Sequence, residues 1–265
     1  MPVLFTSHGN PFDIPKSRAE RPFWNTLHTL GRSLEGKHEI RAVLVVSAHW
    51  VTRGVTKVNV SAAQRQLYDY YGFPEEYYRV VYEAPGAPEV AREVAGLVPG
   101  VRESGEWGLD HGAWPMLMHL FPDADVPVFQ LSIDYNAGPR YHYELGRQLR
   151  ALRHRGVLVV GSGSMIHNLG LAMQKMRTGD LTPFGWEAEY DHWLASQLDG
   201  RNVENLINYL DSHPLGRLAA PTPDHYVPLL YSLGMMDKDD ELSYFYAQEP
   251  GIPAFSERSF ILNPA

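Results

Sequence analysis

The sequence predicts an α/β fold, a central mostly parallel or mixed sheet flanked by helices, with a functional site at the strand carboxyl edge. Three observations predict it. Short apolar runs of strand length recur as PVLFTSHG (Pro2–Gly9), AVLVVSAHW (Ala42–Trp50) and VLVVGSGSMIHNL (Val157–Leu169). Each run ends at small or hydroxyl residues and then delivers a histidine, as an open α/β sheet presents reactive groups at its carboxyl edge. Stretches with apolar residues at helical spacing separate the runs. With no internal repeat, low-complexity segment or linker, residues 1–265 read as one domain.

Taken in order, Val3–Ser7 is a first buried strand, and Asn10–Arg21, polar and broken by proline, is a loop at the site edge. Phe23, Leu27, Leu30 and Leu34 share one helical face, behind a proline suited to the first turn. Ala42–Ala48 is a second buried strand. The strand–helix–strand order implies a right-handed parallel crossover. Val55–Val60 alternates as an edge or extra strand. The tract YDYYGFPEEYYRVVY (Tyr68–Tyr82) can wall a pocket, bury a subunit contact of a homo-oligomer, or simply pack as core. Pro88–Leu97 is a short helix. An Asp-His-Gly turn at Asp110–Gly112 opens a helix carrying Trp114 and Pro115. Val126–Ser132 is a third strand, Arg140–Arg155 an amphipathic helix and Val157–Val160 a fourth strand. Gly185–Leu198 and Val203–Leu210 have helical spacing. Pro221–Gly234 reads as a capped helix with Asp224 and His225 in its first turn. Leu242–Ala247 and Ser259–Leu262 are strand-like.

Composition narrows the function classes. The chain has 265 residues, 44% hydrophobic, enough for one substantial core. A net charge of −8 without a basic patch argues against nucleic acid as a partner. No apolar run approaches the roughly 18 residues that span a bilayer, and no signal peptide precedes the first strand. There are no cysteines, which excludes disulfides and thiolate metal sites and fits a cytoplasmic location. Any metal must be held by His, Asp or Glu.

Five of the 12 histidines sit at strand ends or turns: His8, His49, His111, His167 and His225. One such histidine alone is more often a hydrogen-bonded core or edge residue. Five in matching contexts point to a shared site. His28, His119, His142, His154 and His192 fall inside helical patterns, and His38 and His213 in polar connections; these seven read as structural. An imidazole site without sulfur suits zinc, iron, copper or nickel, and an open face makes it catalytic rather than structural.

SHG (Ser7–Gly9), SAHW (Ser47–Trp50), YGFPEEYY (Tyr71–Tyr78), WGLDHGAW (Trp107–Trp114), YHYELGRQL (Tyr141–Leu149), GSGSMIHN (Gly161–Asn168) and TPDHY (Thr222–Tyr226) together resemble the class III extradiol ring-cleavage dioxygenases. The chain is most similar to their 4,5-DOPA extradiol dioxygenase-like branch, from Pro2 to about Gly234, and distantly similar to the catalytic subunit of protocatechuate 4,5-dioxygenase. The resemblance implies one non-haem divalent metal held by His8, His49 and His225. Distant relatives have glutamate at the third position; here Asp224 is the adjacent carboxylate, and His225 is favoured. It implies that His167 is the acid/base group, close enough in this branch to count as a fourth ligand, and that His111 positions substrate and O2. Asn10 departs from the serine common after the HG pair. Fe(II) is expected for activity, although an all-imidazole site also takes zinc readily. The implied partners are O2 and a small catechol, DOPA-like or protocatechuate-like. Ser7, Trp50, Asp110 and Asn168 flank the histidines as candidate acceptors for imidazole N–H groups or substrate contacts.

Two other readings use the same residues. A non-enzymatic metal-binding relative acting as a binding protein would have no need of the acid/base histidines. A zinc-dependent hydrolase is permitted by the ligand set, although the chain has no HExxH motif.

Overall fold

A computed structural model describes residues 1–247 and 252–265. In chain order the elements are β1 (Val3–Thr6), α1 (Pro22–Lys37), β2 (Ala42–Thr52), β3 (Lys57–Asn59), α2 (Pro88–Leu97), β4 (Arg102–Ser104), α3 (Trp114–Leu120), β5 (Val128–Asp134), α4 (Pro139–Leu149), β6 (Val157–Ser162), α5 (Leu169–Thr178), α6 (Trp186–Asp199), α7 (Val203–Ile207), α8 (Tyr209–Ser212), α9 (Gly216–Ala219), α10 (Val227–Gly234), β7 (Glu241–Tyr246) and β8 (Ser259–Asn263). Among the described residues the strands form one mixed sheet of eight, ordered β4-β3-β5-β2-β6-β1-β8-β7. Its centre, β5-β2-β6-β1, is parallel. The antiparallel pairings are β3 with β5, β1 with β8 and β7 with β8.

The apolar runs form the central strands because both faces of a parallel sheet are covered. Leu44, Val46, Val157 and Val159 face one core with α4, α6 and α10. Val43, Val45, Leu158 and Val160 alternate to the other, with α1 and α3. Buried Tyr70 and Tyr82 join this second core, so part of the tyrosine-rich tract is interior packing. No helix among the described residues is long and apolar enough to cross a membrane.

The structure revises several element boundaries. β2 does not stop at Ala48: between the pairs Val46↔Leu131 and Val51↔Ile133 it advances five residues while β5 advances two, and pairing then resumes to Thr52. This irregularity contains His49, and such bulges re-aim side chains. The Arg140–Arg155 segment is an α-helix only to Leu149, tightens to 3-10 geometry over Arg150–Arg155, and stops at Gly156 with φ +76°. Val203–Leu210 breaks at Asn208. α10 begins at Val227, so Asp224 and His225 lie in the turn before it. There the His225 carbonyl accepts from the Ser164 N–H at 2.8 Å.

That contact requires close approach of two backbones. A Cβ built on Gly163 would lie 2.2 Å from the His225 carbonyl oxygen, whereas one on Gly36 near the end of α1 meets nothing within 4 Å. Gly163→Ala is therefore expected to destabilise the protein by about 1–3 kcal/mol through overpacking. Gly36→Ala is expected to be neutral or to stabilise by up to about 1 kcal/mol. Urea unfolding of the two variants checks the contrast; equal effects would contradict the close packing.

Candidate metal and catalytic centre

β1, β6 and β2 are adjacent and parallel, so their carboxyl ends meet at one edge. His8 follows β1, His49 lies in the β2 bulge, and His225 arrives from the turn before α10. One ring nitrogen from each of His8, His49 and His225 lies within 4.8 Å of the other two. The Nε2 atoms of His8 and His49 are 3.2 Å apart.

The surrounding hydrogen bonds assign the tautomers. The Ser162 hydroxyl donates to the Gly112 carbonyl, so at 3.0 Å from His8 Nδ1 it must accept a proton from the ring. His225 Nδ1 lies 2.5 Å from Asp224 Oδ2, which places N–H against carboxylate. His49 Nδ1 is 3.4 Å from Asp69 Oδ2, close enough to favour the same tautomer though long for a hydrogen bond. The Nε2 atoms are then bare lone pairs turned toward one another. Two acceptors facing each other without a proton are each unsatisfied, which for buried His8 costs about 1–3 kcal/mol and for half-buried His49 less. A divalent cation removes that cost, and an imidazole whose outer N–H is held by an oxygen acceptor is the usual form of a metal-ligating histidine. The donor set thus fits a borderline transition metal.

Burial also suits these rings to ligation. Desolvation, and then the neighbouring imidazoles, holds His8 and His49 well below the ordinary histidine pKa, so both are neutral at pH 7. Burial opposes ionisation of Asp224, but its hydrogen bond and charge interaction with His225 win and push its pKa down.

His167 is clamped between two rings. It stacks on His225 at 3.5 Å between centroids and 2° between planes, and on Phe255 at 4.6 Å and 7°. Its backbone N–H is held by the Ala219 carbonyl. Desolvation and then His225 hold its pKa far below the ordinary value, despite Asp224, so it is a neutral proton acceptor. His167, Asp224 and His225 form a second set with donor atoms within 4.8 Å. His111 packs 3.8 Å from His49 between ring centroids. Its backbone N–H donates to Asp69 Oδ1 at 2.8 Å. Its Nδ1 lies 2.9 Å from Asp69 Oδ2 but off the line of a hydrogen bond. His49, Asp69 and His111 make the third set of potential ligands.

All five sequence-selected histidines therefore converge, while the four flanking residues do other work. Ser7 Oγ accepts from the Gly9 N–H in the turn after β1. Trp50 stacks parallel to Trp107. Fully buried Asp110 accepts from Ser47, Gln130, Trp107 and the Gly112 N–H, and burial followed by Asp69 raises its pKa. Asn168 caps α5 through the Leu171 N–H. Among the described residues none of the four hydrogen-bonds an imidazole. The acceptors at the rings are Ser162, Asp69 and Asp224. Of these, the sequence offered Asp224 only as an alternative ligand and did not single out Ser162 or Asp69.

A cavity of about 550 Å³ opens onto His49, His167 and His225, walled further by Val51, Arg53, Tyr135, Leu169 and Thr222. It gives a small aromatic molecule access to the imidazoles.

Comparison with known proteins agrees with this geometry. The family model described as "Catalytic LigB subunit of aromatic ring-opening dioxygenase" matches residues 2–256. A 4,5-DOPA dioxygenase extradiol of Escherichia coli (strain K12) is 38% identical over 250 residues, 92% of this chain and 88% of its own. One from Beta vulgaris is 34% identical, covering 97% of this chain and 96% of its own. The crystal structure of uncharacterized protein JW3007 from Escherichia coli K12 superposes with a TM-score of 0.80 at 33% identity, covering 99% of this chain and 100% of its own.

Two predictions follow from the neutral, oxygen-held rings. As pH falls below about 6.5, unfolded imidazoles take up protons that buried His8 and half-buried His49, both with lowered pKa values, refuse. The unfolded state then binds more protons, so the metal-free protein loses stability on acidification. Urea midpoints should be level between about pH 8 and 7 and fall by about pH 5.5; a flat profile would show that these rings take up protons in the fold as readily as in the unfolded chain. Asp69→Asn should lower divalent-metal affinity about tenfold to a hundredfold, measured by competition with a chelating dye. Unchanged affinity would remove Asp69 from the support of the site.

Proposed function

The chain belongs to the family of the catalytic LigB subunit of aromatic ring-opening dioxygenases, and we propose that His8, His49 and His225 hold its metal as Fe(II). It is a metal-dependent extradiol dioxygenase, an oxidoreductase that incorporates O2 into a catechol-type aromatic ring. The observation that carries the ligand assignment is the 3.2 Å approach of two Nε2 atoms whose rings have their outer nitrogens turned to oxygen acceptors. Names of the relatives support a DOPA-like catechol, with a protocatechuate-like one as the variant. The same reading takes residues 1–265 as one catalytic domain and, from the absence of cysteine, a cytoplasmic setting.

When bound, the metal supplies Lewis acidity toward the catechol oxygens and the electron transfer to O2 that zinc, without redox chemistry, does not. The protein's own groups do the rest. His167, neutral through burial, takes a hydroxyl proton from the catechol as general base and returns it later as general acid. Its sandwich between His225 and Phe255 fixes the ring plane, leaving only an in-plane nitrogen to exchange that proton. His111, braced through its backbone by Asp69, donates to oxygen bound beside the catechol. Val51, Leu169 and Tyr135 form an apolar wall for the ring.

Anaerobic loading with Fe(II), followed by catechols and air, is expected to give oxygen uptake and a yellow semialdehyde, with the zinc form silent. No uptake across a broad catechol panel would contradict the reaction. His167→Ala should keep the metal and lose about 10²–10⁴ in kcat, whereas His49→Ala should lose the metal itself. Equal metal loss in both variants would make His167 a ligand first and an acid/base group second.

A further inference from the structure

One wall of the cavity carries a cation that this chemistry does not use. Arg53 lines the same cavity as His49, His167 and His225. Its guanidinium makes no ion pair and no hydrogen bond among the described residues, and it rests over the Tyr135 ring at 5.0 Å from the centroid. Its root is fixed by the sheet. Thr52 pairs with Asp134 at the end of β2, the Gly54 N–H donates to Asp134 Oδ1 at 2.7 Å, and the Tyr135 N–H to the Thr52 carbonyl at 2.9 Å. The other ionised group in the wall, Asp224, is engaged by His225.

The placement has a chemical meaning. His49, Val51 and Arg53 are alternate residues running from the β2 irregularity to the bend just after that strand, and all three line the cavity. A ring held at the imidazoles therefore shares its cavity with an unpaired guanidinium that a substituent on the ring can meet. Apolar Val51 and Leu169 line the same cavity. Arginine stacked on an aromatic ring keeps its fork free and pre-oriented for a planar anion.

We propose that Arg53 binds a carboxylate on the side chain of the catechol, so that this chain selects catechols with an anionic arm over neutral or cationic ones. The inference rests on the catechol reading above and names which substituent the site recognises. Arg53 does not touch the reacting atoms; it is a specificity residue.

The test compares 3-(3,4-dihydroxyphenyl)propanoate with 4-ethylcatechol, which lacks only the carboxylate, in the Fe(II)-loaded protein. The native chain should favour the carboxylate in kcat/KM by about tenfold to a hundredfold, as expected for a charge-assisted contact. Arg53→Gln should erase that ratio through KM for the carboxylate substrate, Arg53→Lys should restore part of it, and added salt should shrink it. Calorimetry of the unreactive pair 3-(4-hydroxyphenyl)propanoate and 4-ethylphenol should show the same Arg53-dependent preference without turnover. No preference in the native chain, or equal losses for both substrates in Arg53→Gln, would overturn the proposal. Calorimetric preference without turnover of any catechol would leave the anion site standing and remove the reaction assigned to it.

Discussion

The structure at this sheet edge depends on which nitrogen of each imidazole carries the proton. Ser162 can only accept at His8, because its own hydroxyl is committed to Gly112. Asp224 and Asp69 present carboxylates to the outer nitrogens of His225 and His49. Protons are drawn outward and lone pairs turned inward. Without a cation the inward atoms repel; a cation between them would relieve that repulsion. The burial that keeps His8 and His49 neutral works in the same direction, because a protonated imidazole cannot ligate.

The fold serves that constraint by bringing distant chain segments to one edge. β1, β6 and β2 lie side by side, so His8, Ser162 and His49 come from three neighbouring strands or their ends. The turn before α10 is drawn onto the end of β6 by the Ser164 contact with the His225 carbonyl, possible because Gly163 has no side chain. Residues 254–256 hold the His167 loop through the Asn168 and Ser256 N–H groups, and Phe255 covers the outer face of the His167 ring. The His167 ring is thus fixed by residues 254–256, far in sequence from the strands beside it.

Much of this was legible in the sequence, for physical reasons. Val/Leu runs ending at Ser or Gly encode buried parallel strands and where they stop, and the predicted α/β sheet follows from them. The five histidines at those stops and turns converge as expected. What was not legible depends on long-range pairing. β2 continues past His49 because β5 offers it a partner again at Ile133. His225 stays outside its helix because its carbonyl is taken by Ser164. Asp69 lies 42 residues from the His111 N–H it accepts, inside a tract whose aromatics dominate its pattern. Ser7, Trp50, Asp110 and Asn168 were selected for adjacency to histidines, but successive strand residues point to opposite faces, and Trp50 accordingly packs on Trp107.

The most direct test of the central claim is a crystal structure of the Fe(II)-loaded protein with data collected at the iron absorption edge. The account predicts a single anomalous peak within bonding distance, roughly 2.0–2.3 Å, of Nε2 on His8, His49 and His225. A peak elsewhere, or one bound through the Nδ1 atoms that face Ser162, Asp69 and Asp224, would contradict it.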